Sequence, residues 1–231
     1  MTNADAHAPD LGSQAPWRDR AVARSLDGAR SRAEERVQRF LDATVELIRE
    51  NDGLDFTVQD VVARSNQSLR SFYQFFDGKQ HLLLAVYEGS MQAASVTLLE
   101  TLASETDPMQ RLRLFVTTLY KWSVADPIEV PPAPHLAVRS MADFLLGLLA
   151  TDREKARSAS APLFDLLLKL LEEAKESGAL TLANPRRSAA LILQTTMFNA
   201  YSMNVGGDSE AHEASAEEMW AFIVGGIGGR P

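Results

Sequence analysis

Residues 57–83, TVQDVVARSNQSLRSFYQFFDGKQHLL, leave this chain the fewest choices. Thr57 can cap a short helix, and Asp60 three residues on completes a box-like start. Val58, Val61 and Val62 give that helix one apolar side. The pattern breaks at Ser65-Asn66-Gln67-Ser68, where Asn66 is one of the few non-glycine residues that tolerates the left-handed backbone of a sharp helix exit. Ser68 is a good cap for a second helix over residues 69–76. Phe72 and Phe76 form its inner side, and Arg70, Ser71, Tyr73 and Gln74 point outward. Asp77, with Gln80 three residues later, predicts the cap of a third helix. Two short helices across a tight turn, the second with an exposed Arg/Ser/Tyr/Gln face, describe a helix-turn-helix.

This stretch resembles the DNA-binding signature of the tetracycline-repressor (TetR) family of bacterial regulators. Without gaps it carries Thr57, Val58, Asp60, Val61, Ser68, Tyr73, Phe76, Lys79 and Leu82 at the family's positions, with Phe72 for the usual leucine. It departs at Asn66 for the turn glycine and at Gln67 for the turn valine. The first keeps the backbone option, and the second puts an amide where the family packs an apolar side chain, so either the turn sits slightly differently or Gln67 reaches DNA. The resemblance covers about fifty residues; beyond them only length and helix pattern are similar. It implies phosphate contacts by Tyr73 and Lys79, a two-fold dimer, and an inducer pocket in the second domain whose occupation rearranges the helix shared with the head.

The residues supply roles of their own at the DNA face. Arg70 can make a bidentate contact to guanine, worth roughly 1–3 kcal/mol of discrimination. Gln74 can pair with adenine or reach a phosphate. Thr57 and Ser68 can meet phosphates with hydroxyls at helix starts, although capping alone explains both. The competing expectations are an Arg70–Asp77 ion pair and a Tyr73 packed against the head.

A net charge of −8 argues at first against nucleic acid, but its distribution weakens the objection. Residues 17–80 hold 11 Lys/Arg and 11 Asp/Glu, so the acidic excess lies elsewhere. A neutral head on an acidic body is compatible with phosphate contacts, which depend on local placement. Ahead of the head, residues 1–16 lack any period and read as disordered. Arg18, Arg20, Arg24, Arg30 and Arg32 then stand against Asp19 and Asp27. Residues 1–30 are thus an arginine-containing arm, its helical part either reaching DNA or packing Trp17 and Leu26 on a neighbouring surface.

Helix 1, from about residue 32 to 51, carries Val37, Phe40, Leu41, Leu47 and Ile48 at helical spacing to cover the two short helices. The head is therefore residues 31–80, and residues 81–231 form an effector-binding and dimerisation domain. Its first helix runs from Lys79 to about residue 104. Asp107-Pro108 opens another, a Pro-rich loop follows at residues 127–134, and residues 136–150 are apolar. A helix over residues 152–177 contains Pro162, which must kink or divide it. Asn184-Pro185 and the Ser215-x-x-Glu218 box open the last two. No period-two strand is visible, so the fold is all-α.

The last two helices are apolar on nearly every side, which means burial or cover by a partner. Leu193, Met197, Phe198, Trp220, Ile223 and Val224 are accordingly expected at a homodimer interface, the competing expectation being a monomer core. Tyr87, Met91, Phe115, Trp122, His135, Arg139, Phe144, Met197 and Tyr201 are candidates for contacting a small-molecule effector of unknown identity, although most such residues at helical spacing are core. Arg139, in an apolar helix, calls for an acidic effector, for Asp143, or for an outward reach to solvent.

Other classes find little support. The chain has no cysteine and four scattered histidines, with no metal-ligand spacing, phosphate loop or nucleophile elbow, so neither catalysis nor a cofactor or metal is expected. No apolar run of membrane-spanning length and no signal segment is apparent, and a cytoplasmic location follows. The reading is a sequence-specific regulator of transcription that binds double-stranded DNA, released from a near-palindrome by its effector. The alternative is a helical ligand-binding or scaffold protein whose head no longer reads DNA.

Overall fold

A computed structural model of the chain describes residues 16–51, 53–124, 141–205 and 215–228. All regular structure among them is helical. The head comprises α1 (Pro16–Glu50), α2 (Val58–Arg64) and α3 (Leu69–Phe75), and α4 (Lys79–Leu102) leads out of it. The body adds α5 (Pro108–Val124), α6 (Ala142–Thr151), α7 (Arg153–Glu176), α8 (Pro185–Val205) and α9 (Ala216–Gly226).

The starts are set by short-range chemistry. Thr57 and Ser215 each form a reciprocal capping box, with Asp60 and Glu218. The Asp107 and Asn184 carboxylate and amide oxygens accept from the amides of Gln110 and Arg187, at 2.8 and 3.0 Å, ahead of prolines whose missing N–H costs nothing there. The expected cap at Asp77 is replaced by Gly78, whose φ of 149° a side chain would strain. The Asp77 amide donates instead to His81 Nδ1 at 3.3 Å.

Two other boundaries differ from expectation, and at Pro162 one of the two expected outcomes, a divided helix, does not occur. The arginine-rich segment is no separate helix: α1 runs unbroken for 35 residues, about 52 Å at the usual rise. Its side chains become buried only from Phe40, so the first turns stand clear of the head. Helix α4 stops at Leu102, and Pro162 lies within α7 without dividing it. The Pro-rich loop at 127–134 falls outside the described residues.

The core is continuous from head to body. Phe40, Leu47, Phe56, Val61, Phe72 and Phe76 close the head, and Leu82, Val86, Met91 and Leu98 carry the apolar face of α4 into α5 and α7. By length and composition α4 could cross a membrane, at a mean hydropathy of 1.3, against the expectation that no run approaches that length. Half of that window is buried against the chain's own helices, which is the signature of a core helix.

Candidate DNA interface and effector cleft

The turn between α2 and α3 is built on backbone geometry. Asn66 sits at φ 53°, and its reversal lets the Gln67 amide return to Val62 O at 3.2 Å. The Ser68 hydroxyl accepts from Ser71 N at 3.0 Å and opens α3. The inner side of α3 is fastened by Phe72, whose ring stands edge-on to Phe40 at 5.6 Å. Its outer side presents Leu69, Arg70, Tyr73 and Gln74 to solvent. The Tyr73 ring leans edge-on against Phe72 at 5.3 Å yet stays 57% exposed, leaving its hydroxyl end outward. Arg70 makes no ion pair among the described residues, so the alternative pairing with Asp77 does not occur.

Four expected DNA contacts are otherwise engaged. Ser71 is buried, at 8% exposure, because a seven-residue helix anchored by Phe72 turns its neighbour inward. The Lys79 ammonium donates to the backbone carbonyls of Leu54 and Phe56 and lies 4.3 Å from the Phe56 ring centroid. It clasps the approach to α2 and does not stand ready for phosphate. The Thr57 hydroxyl donates to Asp60 Oδ2 at 2.7 Å. Together with the Thr57 amide, it holds the Asp60 carboxyl below the ordinary aspartate range. The Gln67 side chain donates to Asn66 O at 3.2 Å. Arg64 is fixed as well, forked onto Glu50 at 2.8 and 2.6 Å and reaching Glu46, which ties α2 to α1. Leu69 is exposed on the same outer side of α3 as Tyr73, at a position absent from the expected contacts.

In the body, a cleft of about 520 Å³ opens between α4, α6, α7 and α8. Leu145, Leu149, Leu163, Phe164, Leu193 and Met197 give it apolar walls, and Tyr87, Arg157, Ser160 and Gln194 supply the polar groups. The Tyr87 hydroxyl lies 3.0 Å from that of Ser160, and burial pushes the phenol upward in pKa. Of the expected effector residues, Tyr87 and Met197 line the cleft, and Phe144 packs behind Tyr87 with ring centroids 6.4 Å apart. Met91 and Phe115 are fully buried core and Trp122 packs on that core, none of them reaching the cleft. His135 and Arg139, with Arg139's possible partner Asp143, and the Tyr201 side chain lie outside the described residues. The missed residues cluster on α7, where small Ala156 and Ser160 leave the space that larger neighbours enclose.

The interface residues also need correction. Trp220, Ile223 and Val224 are buried within the single chain, where α9 packs on α5. Leu193 and Met197 face the cleft. Phe198 is exposed at the cleft rim, and Leu191 on the same helix and Phe222 on α9 are exposed elsewhere.

Residues 40–86 match the family model described as bacterial regulatory proteins, tetR family. That span holds the buried C-terminal end of α1, the whole of α2 and α3, and the first turns of α4. The head of this chain is thus similar to the DNA-binding head of that family. No curated protein sequence matches the chain. The fold as a whole is similar to that of the fatty acid degradation regulator FadR from Bacillus halodurans, with TM-score 0.66 at 19% identity over 84% of this chain and 97% of that one. FadR from Bacillus subtilis, solved with stearoyl-CoA, gives 0.65 at 18% identity over 82% and 98%. RolR, solved with resorcinol, gives 0.63 at 15% identity over 86% and 90%. No group of three or more potential metal ligands occurs among the described residues.

Proposed function

We propose that this protein is a sequence-specific transcriptional regulator of the tetR family that holds a near-palindromic operator as a homodimer and is released by a small molecule. The observation that carries the reading is the outward face of α3, where Arg70, Tyr73 and Gln74 are exposed on a helix whose other side is locked by Phe72. Arg70 and Gln74 are one turn apart, the spacing at which neighbouring bases of a major groove are met. Ser68 meets the backbone from the helix start, where amide groups favour phosphate.

A single seven-residue helix reads few bases, so two heads related by a two-fold axis are required. The apolar groups left uncovered on α8 and α9, Leu191, Phe198 and Phe222, form the dimer face in this reading. Residues 31–80 act as head and 81–231 as effector and dimerisation domain, with the exposed start of α1 as a basic extension. The protein acts as a repressor in the cytoplasm. Its effector occupies the cleft against Tyr87, on the helix that also carries Lys79. The ligands of the similar structures, stearoyl-CoA and resorcinol, each carry an apolar part, an acyl chain or an aromatic ring, in keeping with the apolar walls of the cleft.

Genomic fragments selected by the full-length protein at moderate salt, then footprinted, test this. A protected two-fold symmetric site is expected. Weak binding without sequence preference, abolished at physiological salt, would point to a ligand-binding protein whose head has lost its operator.

A further inference from the structure

The described residues lining the cleft include no carboxylate and one cation, Arg157. Arg157 and Ser160 succeed each other one turn apart on α7, and Leu163 and Phe164 continue the same face. Arg157, Ser160 and the Tyr87 hydroxyl bonded to it thus lie toward the N-terminal stretch of α7, ahead of Leu163 and Phe164. A second cation stands behind that wall, with the Arg186 guanidinium 5.0 Å from the Phe164 ring centroid. A cationic ligand would find no counter-charge among these residues, and burying an unpaired charge is costly. An anion would meet Arg157, the hydroxyls of Ser160 and Tyr87, and the Gln194 amide. Arg157 is at present paired with Glu154, one turn earlier on the exposed surface of α7.

We infer that the cleft takes an anionic amphiphile, an aliphatic chain ending in a carboxylate or similar acidic group, with the chain among Leu145, Leu149, Leu163, Phe164 and Met197 and the head group drawing Arg157 away from Glu154. The inference rests on the effector reading above and names the chemistry of that ligand. Glu154 acts as an internal competitor that the head group displaces. The Tyr87–Ser160 hydrogen bond joins α4 to α7, so a head group that takes over either hydroxyl alters the contact holding the head's exit helix.

Three probes with the same ten-carbon chain, decanoate, decanol and decyltrimethylammonium, separate head-group charge from apolar filling. Binding to the full-length protein is followed by titration calorimetry below the concentrations at which the probes form micelles. Decanoate should bind most tightly and the ammonium probe least. Arg157→Gln should weaken decanoate about two- to fivefold, the scale of an exposed ion pair, and leave decanol unchanged. Glu154→Gln, which frees Arg157, should tighten decanoate and leave decanol unchanged. Both side chains are exposed, so neither change threatens folding. Equal affinity for all three probes, or an Arg157→Gln effect identical for decanoate and decanol, overturns the inference. Selection of operator DNA by the ligand-free protein is read separately. DNA binding without decanoate binding sinks the ligand class alone, and decanoate binding without DNA binding sinks the regulator alone.

Discussion

The Lys79 ammonium donates to the carbonyl of Phe56 at 2.6 Å while lying over that residue's own ring. It also caps the Leu54 carbonyl, so one side chain at the first residue of α4 holds the segment that precedes α2. Eight residues further along the same helix, Tyr87 reaches the cleft. Helix α4 thus carries both the Lys79 clasp on the head and the Tyr87 side chain in the cleft wall.

Lys79→Met should cost roughly 1–3 kcal/mol of stability, the scale of buried carbonyls left without their charged donor. DNA affinity should fall with it, but the slope of log affinity against log salt should stay as in the unmodified protein, because no phosphate contact has been removed. Urea denaturation and binding across a salt series measure both. A slope reduced by about one would mean that Lys79 meets phosphate after all.

Asn66 stands in the left-handed region at φ 53°. Asn66→Gly should leave the melting temperature nearly unchanged, whereas Asn66→Val should lower stability by about 1–2 kcal/mol, since a branched side chain resists that backbone. Equal effects of the two substitutions, measured by thermal unfolding, would show that the turn geometry is otherwise set.

Hydrogen bonds from the Thr57 hydroxyl and amide hold the Asp60 carboxyl below its ordinary value in the folded head. A lowered folded-state value contributes stability that is present above the unfolded value and lost as pH falls through the folded one. The head should thus weaken on the acid side of the ordinary aspartate range. Asp60→Asn should be less stable at neutral pH and show a shallower acid dependence in denaturation midpoints measured at successive pH values. An unchanged acid slope would contradict this.

Trp220 is 6% exposed and Phe222 70% exposed, two residues apart on α9. Trp220→Ala should cost about 3–5 kcal/mol in the single-chain fold. Phe222→Asp should leave unfolding almost unaltered and weaken self-association in sedimentation experiments. A folded, fully dimeric Phe222→Asp protein would remove that residue from the interface.

What was legible in the chain was what local chemistry decides. The caps at Thr57, Ser68, Asp107, Asn184 and Ser215 and the turn at Asn66 depend on atoms within a few residues, and each is where the pattern put it. Lys79 was not legible in this sense, because its partners Leu54 and Phe56 lie more than twenty residues away and only the folded head brings their carbonyls together. Trp220, Ile223 and Val224 were misplaced for a related reason. Apolarity on every side of a helix says that it is covered, and here the cover is α5 of the same chain. The cleft was hardest to foresee, since its defining residues, Ala156, Arg157 and Ser160, are small or polar and carry no periodic signal.

The most direct test of the central claim is the affinity of the full-length protein for its selected site against a scrambled site, with and without Arg70→Ala. Arg70 is exposed and unpaired among the described residues, so the substitution leaves the head folded. The account predicts a preference for the selected site that Arg70→Ala reduces by about 1–3 kcal/mol, with little change on scrambled DNA beyond a weaker salt dependence. Equal affinities for the two sites, or a loss on Arg70→Ala that is the same for both, would contradict it.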